Sequence, residues 1–301
     1  HYPLRRQRQM CIRDRSNAEI SGMAWYEDYL ILLPQYPGRL GNAVFALSKA
    51  NIIAYLDGAG TGPLEPQAIP FDDGNVSKQI DQFQGYEAIA FAGNRAFLTI
   101  ESGRGAGMMG YLAAGNIAAD LSILELDATH TTPIEPQSTL DNATDESLFI
   151  VGETLVTLYE ENGADVNPSP IAHRFDFDLN LLDTCPFPNI EYRITDAAEP
   201  DGGRFWGINY FYPEDEPQAP TDPIAEQYGK GPTHSQNAWV ERLVLFEYSD
   251  SGITLVEQAP VPFELSDESR NWEGLVQLDD RGFLLVTDKY PETILGFVKR
   301  P

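Results

Sequence analysis

One pattern recurs along the chain and constrains its fold more than any other feature. A short apolar run is followed by a tight polar turn, a second apolar run and a closing polar residue. It reads SGMAWYEDYLILLPQ from Ser21 to Gln35, EAIAFAGNRAFLTIE from Glu87 to Glu101 and ESLFIVGETLVTLYE from Glu146 to Glu160. A further copy, EGLVQLDDRGFLLVTD, runs from Glu273 to Asp288, and a looser one, DAAEPDGGRFWGIN, from Asp196 to Asn209. The runs are rich in Val, Ile, Leu, Phe and Thr, and their turns carry pairs such as Gly93-Asn94, Gly152-Glu153 and Gly202-Gly203. That is hairpin chemistry. No 3.6-residue apolar stripe longer than two turns competes with it.

Two further strand-like runs come after most hairpins, as at Asn42–Ser48, Ser122–Asp127, Ala172–Asp178, Arg242–Tyr248 and Ile253–Phe263. Four antiparallel strands per unit, repeating every 50 to 77 residues, is the layout of propeller blades, and a sandwich would not repeat one hairpin with the same polar ends. The expected fold is all-β, a β-propeller of about five four-stranded blades, with six as the alternative.

Residues 1–15 carry five Arg and one Asp, a sharp break from the acidic remainder of the chain, and read as a non-native leader or assembly scar outside the fold. The domain is then 16–301, with a proline-rich insertion at 213–239 between the second and third strands of the fourth blade. Within the insertion, Asp222–Gln227 is the best short-helix candidate. The last unit ends near Val298 with three strands, so its outer closing strand is expected to be missing at the N-terminus. With Cys11 in the leader, Cys185 stands alone and no intrachain disulfide is expected.

The chain has 46 acidic and 20 basic residues and a formal charge of -26. Setting aside the leader's five Arg and one Asp leaves 45 acids against 15 bases. Such a surface repels phosphate backbones and anionic membranes, and no apolar run is long enough to span a bilayer. The expected partner is a small-molecule ligand or substrate, with no nucleic acid, no membrane span and a monomeric chain. The acidity points to a periplasmic or extracellular setting.

The first positions of the hairpins are Ser21, Glu87, Glu146, Asp196 and Glu273, and the closing positions are Gln35, Glu101, Glu160, Asn209 and Asp288. The spacings within repeats are 14, 14, 14, 13 and 15, so each set occupies equivalent places. In a propeller the innermost strands line the axis, which brings Glu87, Glu146, Asp196 and Glu273 together as candidate metal ligands. Converging carboxylates either take up protons with raised, coupled pKa values or hold a cation. An all-oxygen set favours Ca²⁺ or another divalent hard ion. Zinc fits poorly, because His130, His173 and His234 are scattered. Glu101, Asn209 and Asp288 are the candidates to position water or substrate.

The runs Tyr86-Glu87-Ala88-Ile89-Ala90-Phe91, Asn271-Trp272-Glu273-Gly274-Leu275-Val276 and Phe283-Leu284-Leu285-Val286-Thr287-Asp288 resemble the phytase-like esterase propeller family. The stretch Arg204-Phe205-Trp206-Gly207-Ile208-Asn209-Tyr210 is similar in kind. The resemblance implies an exported propeller with esterase or phosphoesterase activity and a divalent metal. A polyphosphorylated substrate does not suit the chain, since Arg95, Arg104, Arg204, Arg242 and Arg270 are dispersed. The expected function is metal-dependent hydrolysis of a small ester, lactone or phosphoester in the central channel. The alternative is a non-catalytic ligand- or protein-binding propeller with a structural cation.

Overall fold

In the computed structural model of the chain, the repeats become hairpins and the hairpins become the inner halves of small sheets. The residues described are 7–11, 18–59, 63–104, 107–211, 216–231, 239–264, 270–287 and 293–301. An N-terminal strand, β1 (Gln7–Cys11), precedes the first repeat. The first unit then comprises β2 (Ile20–Tyr26), β3 (Tyr29–Pro34), β4 (Ala43–Ser48) and β5 (Gln67–Asp72). The second is β6 (Phe83–Ala92), β7 (Arg95–Ser102), β8 (Met109–Ile117) and β9 (Leu124–Ile134). The third is β10 (Asp145–Val151), β11 (Thr154–Tyr159), β12 (Ile171–Phe175) and β13 (Leu181–Pro186). The fourth is β14 (Arg193–Ala197), β15 (Arg204–Phe211), β16 (Val240–Ser249) and β17 (Gly252–Leu255), with the two-residue β18 (Val261–Pro262) also on β16. The last contains β19 (Trp272–Leu278), β20 (Gly282–Thr287) and β21 (Ile294–Lys299).

Each unit is an antiparallel meander, and a two-residue parallel pairing of β5 with β9 links the first two. The inner strands β2, β6, β10, β14 and β19 touch in that order, and β19 returns to β2. The ring is closed.

The core arises from strand alternation, which sends successive side chains to opposite faces. Ile31 and Leu33 of β3 pack against the second unit with Ile89 and Leu98, whereas Leu30 and Leu32 pack against the last unit with Val276 and Leu284. The other apolar clusters likewise lie between neighbouring units: second with third, third with fourth, fourth with last. Sheets stacked face to face around an axis, with each core shared by two of them, make a β-propeller.

One expectation fails here. The outer position of the last unit is filled, because β1 pairs antiparallel with β21, Gln7 opposite Val298 through Cys11 opposite Ile294. The N-terminal stretch therefore contributes a strand to the sheet instead of lying outside it. Hydrogen bonding between backbones needs no side-chain pattern, which is why composition gave no sign of it.

The segment between β15 and β16 carries a short helix. This helix, Pro223–Tyr228, starts at Asp222, whose carboxylate accepts from the N–H groups of Ile224 and Ala225, both at 3.1 Å. Arg242 of β16 donates to the same carboxylate at 2.9 and 3.0 Å, tying the segment to the sheet. No helix among the described residues is long and apolar enough to cross a membrane.

Candidate functional site

Every inner strand loses register with its neighbour near its start, and β6 does so at a second place as well, between Phe83 and Gly85. The break falls between Ile20 and Gly22 in β2, Tyr86 and Ile89 in β6, Asp145 and Ser147 in β10, Ile194 and Asp196 in β14, and Trp272 and Gly274 in β19. A bulge re-aims the extra residue's side chain. The residues so singled out are Ser21, Glu146, Thr195 and Glu273, with Glu87 and Ala88 together in β6. Backbone bonds between units confirm the alignment. The N–H just before the bulge reaches the preceding unit's carbonyl in both Tyr86 to Gln35 (3.0 Å) and Ile194 to Glu160 (2.9 Å). At Gly22 an added Cβ would lie 2.8 Å from the Glu87 carbonyl oxygen, so the first two inner strands approach this closely only with glycine there.

The bulges correct two residues. In the fourth unit the bulge residue is Thr195, not Asp196. Asp196 is buried and turned into the backbone, accepting from the N–H of Ala197 at 2.8 Å and of Leu275 at 2.6 Å. It clamps β14 to β19. Asn209 is likewise one step off: it stands opposite Ile194, where Pro34 stands opposite Ile20, so Tyr210 holds the place of Gln35. Its amide donates to the carbonyls of Glu191, Tyr192 and Arg193, and its oxygen accepts from Arg242 at 2.7 Å. Asn209 is scaffold. Asp288 lies outside the described residues, as does His234.

The remaining acids do come within electrostatic reach of one another. Burial pushes the Glu146 carboxyl well above the usual range, and Glu160, Glu273 and Glu87 push it further, against a lowering by Arg193. Glu101 is 3% exposed. Its pKa is raised to about 7, first by burial, then by Glu160 and Asp141. One oxygen each of Glu101 and Glu146, and the Ser21 hydroxyl, are buried with no hydrogen-bond partner among the described residues.

Three polar groups answer the acids. The Gln35 amide donates to Glu87 Oε1 at 3.3 Å, and the Asn271 amide donates to Glu273 Oε1. Arg193 Nη1 lies 2.8 Å from Glu160 Oε1, with the carboxylate fully buried, and its guanidinium sits 5.5 Å from the Tyr210 ring centroid. Sequence reasoning missed Arg193 because it stands outside the hairpin repeat. Its signal is positional: it precedes the bulge residue Thr195 by two, as Asn271 precedes Glu273.

For Ca²⁺ the donor chemistry is right, since orphaned carboxylate and hydroxyl oxygens suit a hard ion. The spacing is not. Among the described residues, no three of the His, Cys, Asp and Glu side chains are grouped closely enough to hold a metal ion. The cluster as built is relieved by protons, amide donors and one arginine.

No protein-family model matches the chain, and no curated protein matches it in sequence. The resemblance to phytase-like esterases therefore stays confined to short motifs. Among solved structures, a glucose dehydrogenase is similar at 12% identity and a TM-score of 0.47, covering 95% of this chain and 98% of that one. An α-L-arabinofuranosidase from Clostridium thermocellum is similar at 10% identity and 0.49, covering 92% and 83%. An α-L-arabinanase mutant from Cellvibrio cellulosa is similar at 10% and 0.49, covering 93% and 91%. Likeness of this degree carries no chemistry. The propeller assignment rests on the strand pairing and the shared cores.

Proposed function

We propose that the chain is a hydrolase of a small neutral ester or lactone, acting at the carboxylate cluster on the bulge end of the channel. The observation that carries this reading is Glu101, a buried carboxyl with an unpartnered oxygen and a pKa raised to about 7. A group that titrates near neutrality exchanges protons most effectively at neutral pH. Glu101 takes a proton from water as the water oxygen bonds to the carbonyl carbon. The tetrahedral adduct then breaks its bond to the alkoxide oxygen, which receives that proton from Glu101. Arg193 and Gln35 supply N–H donors for the developing oxyanion.

The field of the cluster selects the substrate. Converging acids repel anions, which disfavours phosphoesters and helps to expel the carboxylate product. A divalent metal takes no part in this scheme, since among the described residues no three of the acids are grouped closely enough to hold one.

The test is a panel of short-chain nitrophenyl esters and small lactones, with wild type and Glu101→Gln, each after chelation and with added Ca²⁺. The expected result is hydrolysis that rises through pH 7, survives chelation and falls about a hundredfold or more in the variant. Full activity in Glu101→Gln, or no hydrolysis by folded protein, would overturn the reading. Activity lost on chelation and regained with Ca²⁺ would replace the proton-held site with a metal-held one.

A further inference from the structure

The opposite end of the channel carries a second cavity, of about 340 Å³, which the carboxylate cluster does not use. That volume falls within the range of small-molecule sites. All the inner strands contribute to its apolar floor, through Met23, Ile89, Leu148, Ala197 and Leu275. Its rim is acidic, formed by Glu27, Glu199, Asp201 and Asp279 from the hairpin ends. Among the described lining residues Lys49 is the one base.

We propose that this cavity binds a small organic cation, an ammonium group on a compact apolar body, independently of any chemistry at the bulge end. The rim already holds an ammonium of its own. Lys49 Nζ lies 2.5 Å from Asp279 Oδ1 and 5.0 Å from the Trp25 ring centroid, so an acid and an aromatic face meet at one cation position. The Trp25 ring is fixed there by its N–H, which donates to the Gln277 carbonyl at 2.7 Å. Asp279 is thus neutralised by Lys49, and Asp201 has Arg300 within 3.7 Å. Glu27 and Glu199 have no ion pair among the described residues, and they supply the charge complementarity for a ligand. The floor rejects a hydrated metal ion, which has no apolar surface to bury, and the rim rejects an anion. Both ends of an amphipathic ammonium are matched.

The experiment is calorimetric titration of the full chain with benzyltrimethylammonium chloride, with benzenesulfonate as the anionic counterpart. One-site binding of the cation and none of the anion is expected. Glu27→Gln/Glu199→Gln should weaken binding about tenfold, from two partly desolvated charge contacts. Lys49→Ala, which removes the tethered competitor, should tighten it about threefold. Ala90→Leu, at the floor, should abolish it. Since an acidic protein attracts cations everywhere, Glu125→Gln/Glu257→Gln serves as the control: both residues are exposed, Glu125 on the outer strand β9 and Glu257 after β17, and neither lines the cavity. The proposal is overturned if this control weakens binding as much as the rim pair does, if Ala90→Leu and Lys49→Ala both leave the affinity unchanged, or if folded wild type takes up no cation.

Discussion

Glu146, half-buried, and Asp196, buried, are both acids near the start of an inner strand, yet they lead opposite lives. Glu146 occupies a bulge, and its pKa is raised by burial and then by Glu160, Glu273 and Glu87. Asp196 sits one residue past a bulge. Its pKa is also raised by burial, but what it meets is backbone, the N–H groups of Ala197 and Leu275, and these pull it back down. A shift of one position along a strand turns a side chain to the other face. Acid at the bulge makes a cluster of mutually repelling carboxyls at the expense of stability; acid one step later makes a clamp. The fourth unit has taken the second course, with Thr195 in its bulge donating to the Trp272 carbonyl at 2.6 Å.

The largest effect that would sharpen this contrast is in the pH dependence of stability. A carboxyl whose pKa rises on folding contributes stability that is complete below its unfolded pKa and is lost as pH climbs through its folded one. For Glu101, raised from 4.5 to about 7, the loss across that window is on the order of 3 kcal/mol. Urea denaturation at intervals from pH 4 to pH 8 should show this decline. Glu101→Gln/Glu146→Gln should reduce it, leaving the contributions of Asp196, Glu191 and Glu199, each raised by burial, and of His173, which burial lowers but Asp145 and Glu135 raise further. A double variant that kept the full decline would remove the cluster as its cause.

Next in size is the clamp. Asp196→Ala leaves the buried Leu275 N–H without its acceptor, at a cost of about 2 kcal/mol. Asp196→Asn keeps an acceptor oxygen and should recover about half of that. Because burial raises the Asp196 carboxyl as well, both variants should also remove its share of the decline in stability with rising pH. Equal stability of the alanine and asparagine variants would mean that the bond to Leu275 contributes nothing.

The same contrast explains what could be read in advance. Hairpins announce themselves locally, through alternating apolar runs and turn residues such as Gly93 and Gly152, whose φ of 55° and 62° suit a tight turn. Repetition then carries the propeller. A bulge, by contrast, is a relation between two strands, invisible in either alone. In the fourth unit an acid stands beside the bulge and a threonine within it, so counting acids moved the frame from Thr195 to Asp196, and the same slip carried Tyr210 to Asn209. At Glu87, Glu146 and Glu273 the acid and the bulge coincide, so the repeat and the strand pairing point to the same residue. The strand Gln7–Cys11 was hidden for a related reason: the edge of β21 offers backbone groups that any sequence can pair.

The smallest effect tests Thr195 itself. If the bulge position of the fourth unit is structural, its value lies in one buried hydrogen bond, since Thr195 is 1% exposed and its hydroxyl donates to the Trp272 carbonyl. Thr195→Val keeps the shape and removes the donor, so stability should fall by about 1 kcal/mol at every pH. The bond joins the unit's bulge to the residue immediately before Glu273. The variant therefore has two separable readouts. A loss of stability with ester hydrolysis unchanged would make Thr195 a strut between the fourth and last units. A fall in hydrolysis larger than the stability change could account for, in protein that remains folded, would mean that the Trp272 carbonyl holds Glu273 in register with the other acids. The division between clamp and cluster would then run through the fourth unit's bulge, not between it and the rest.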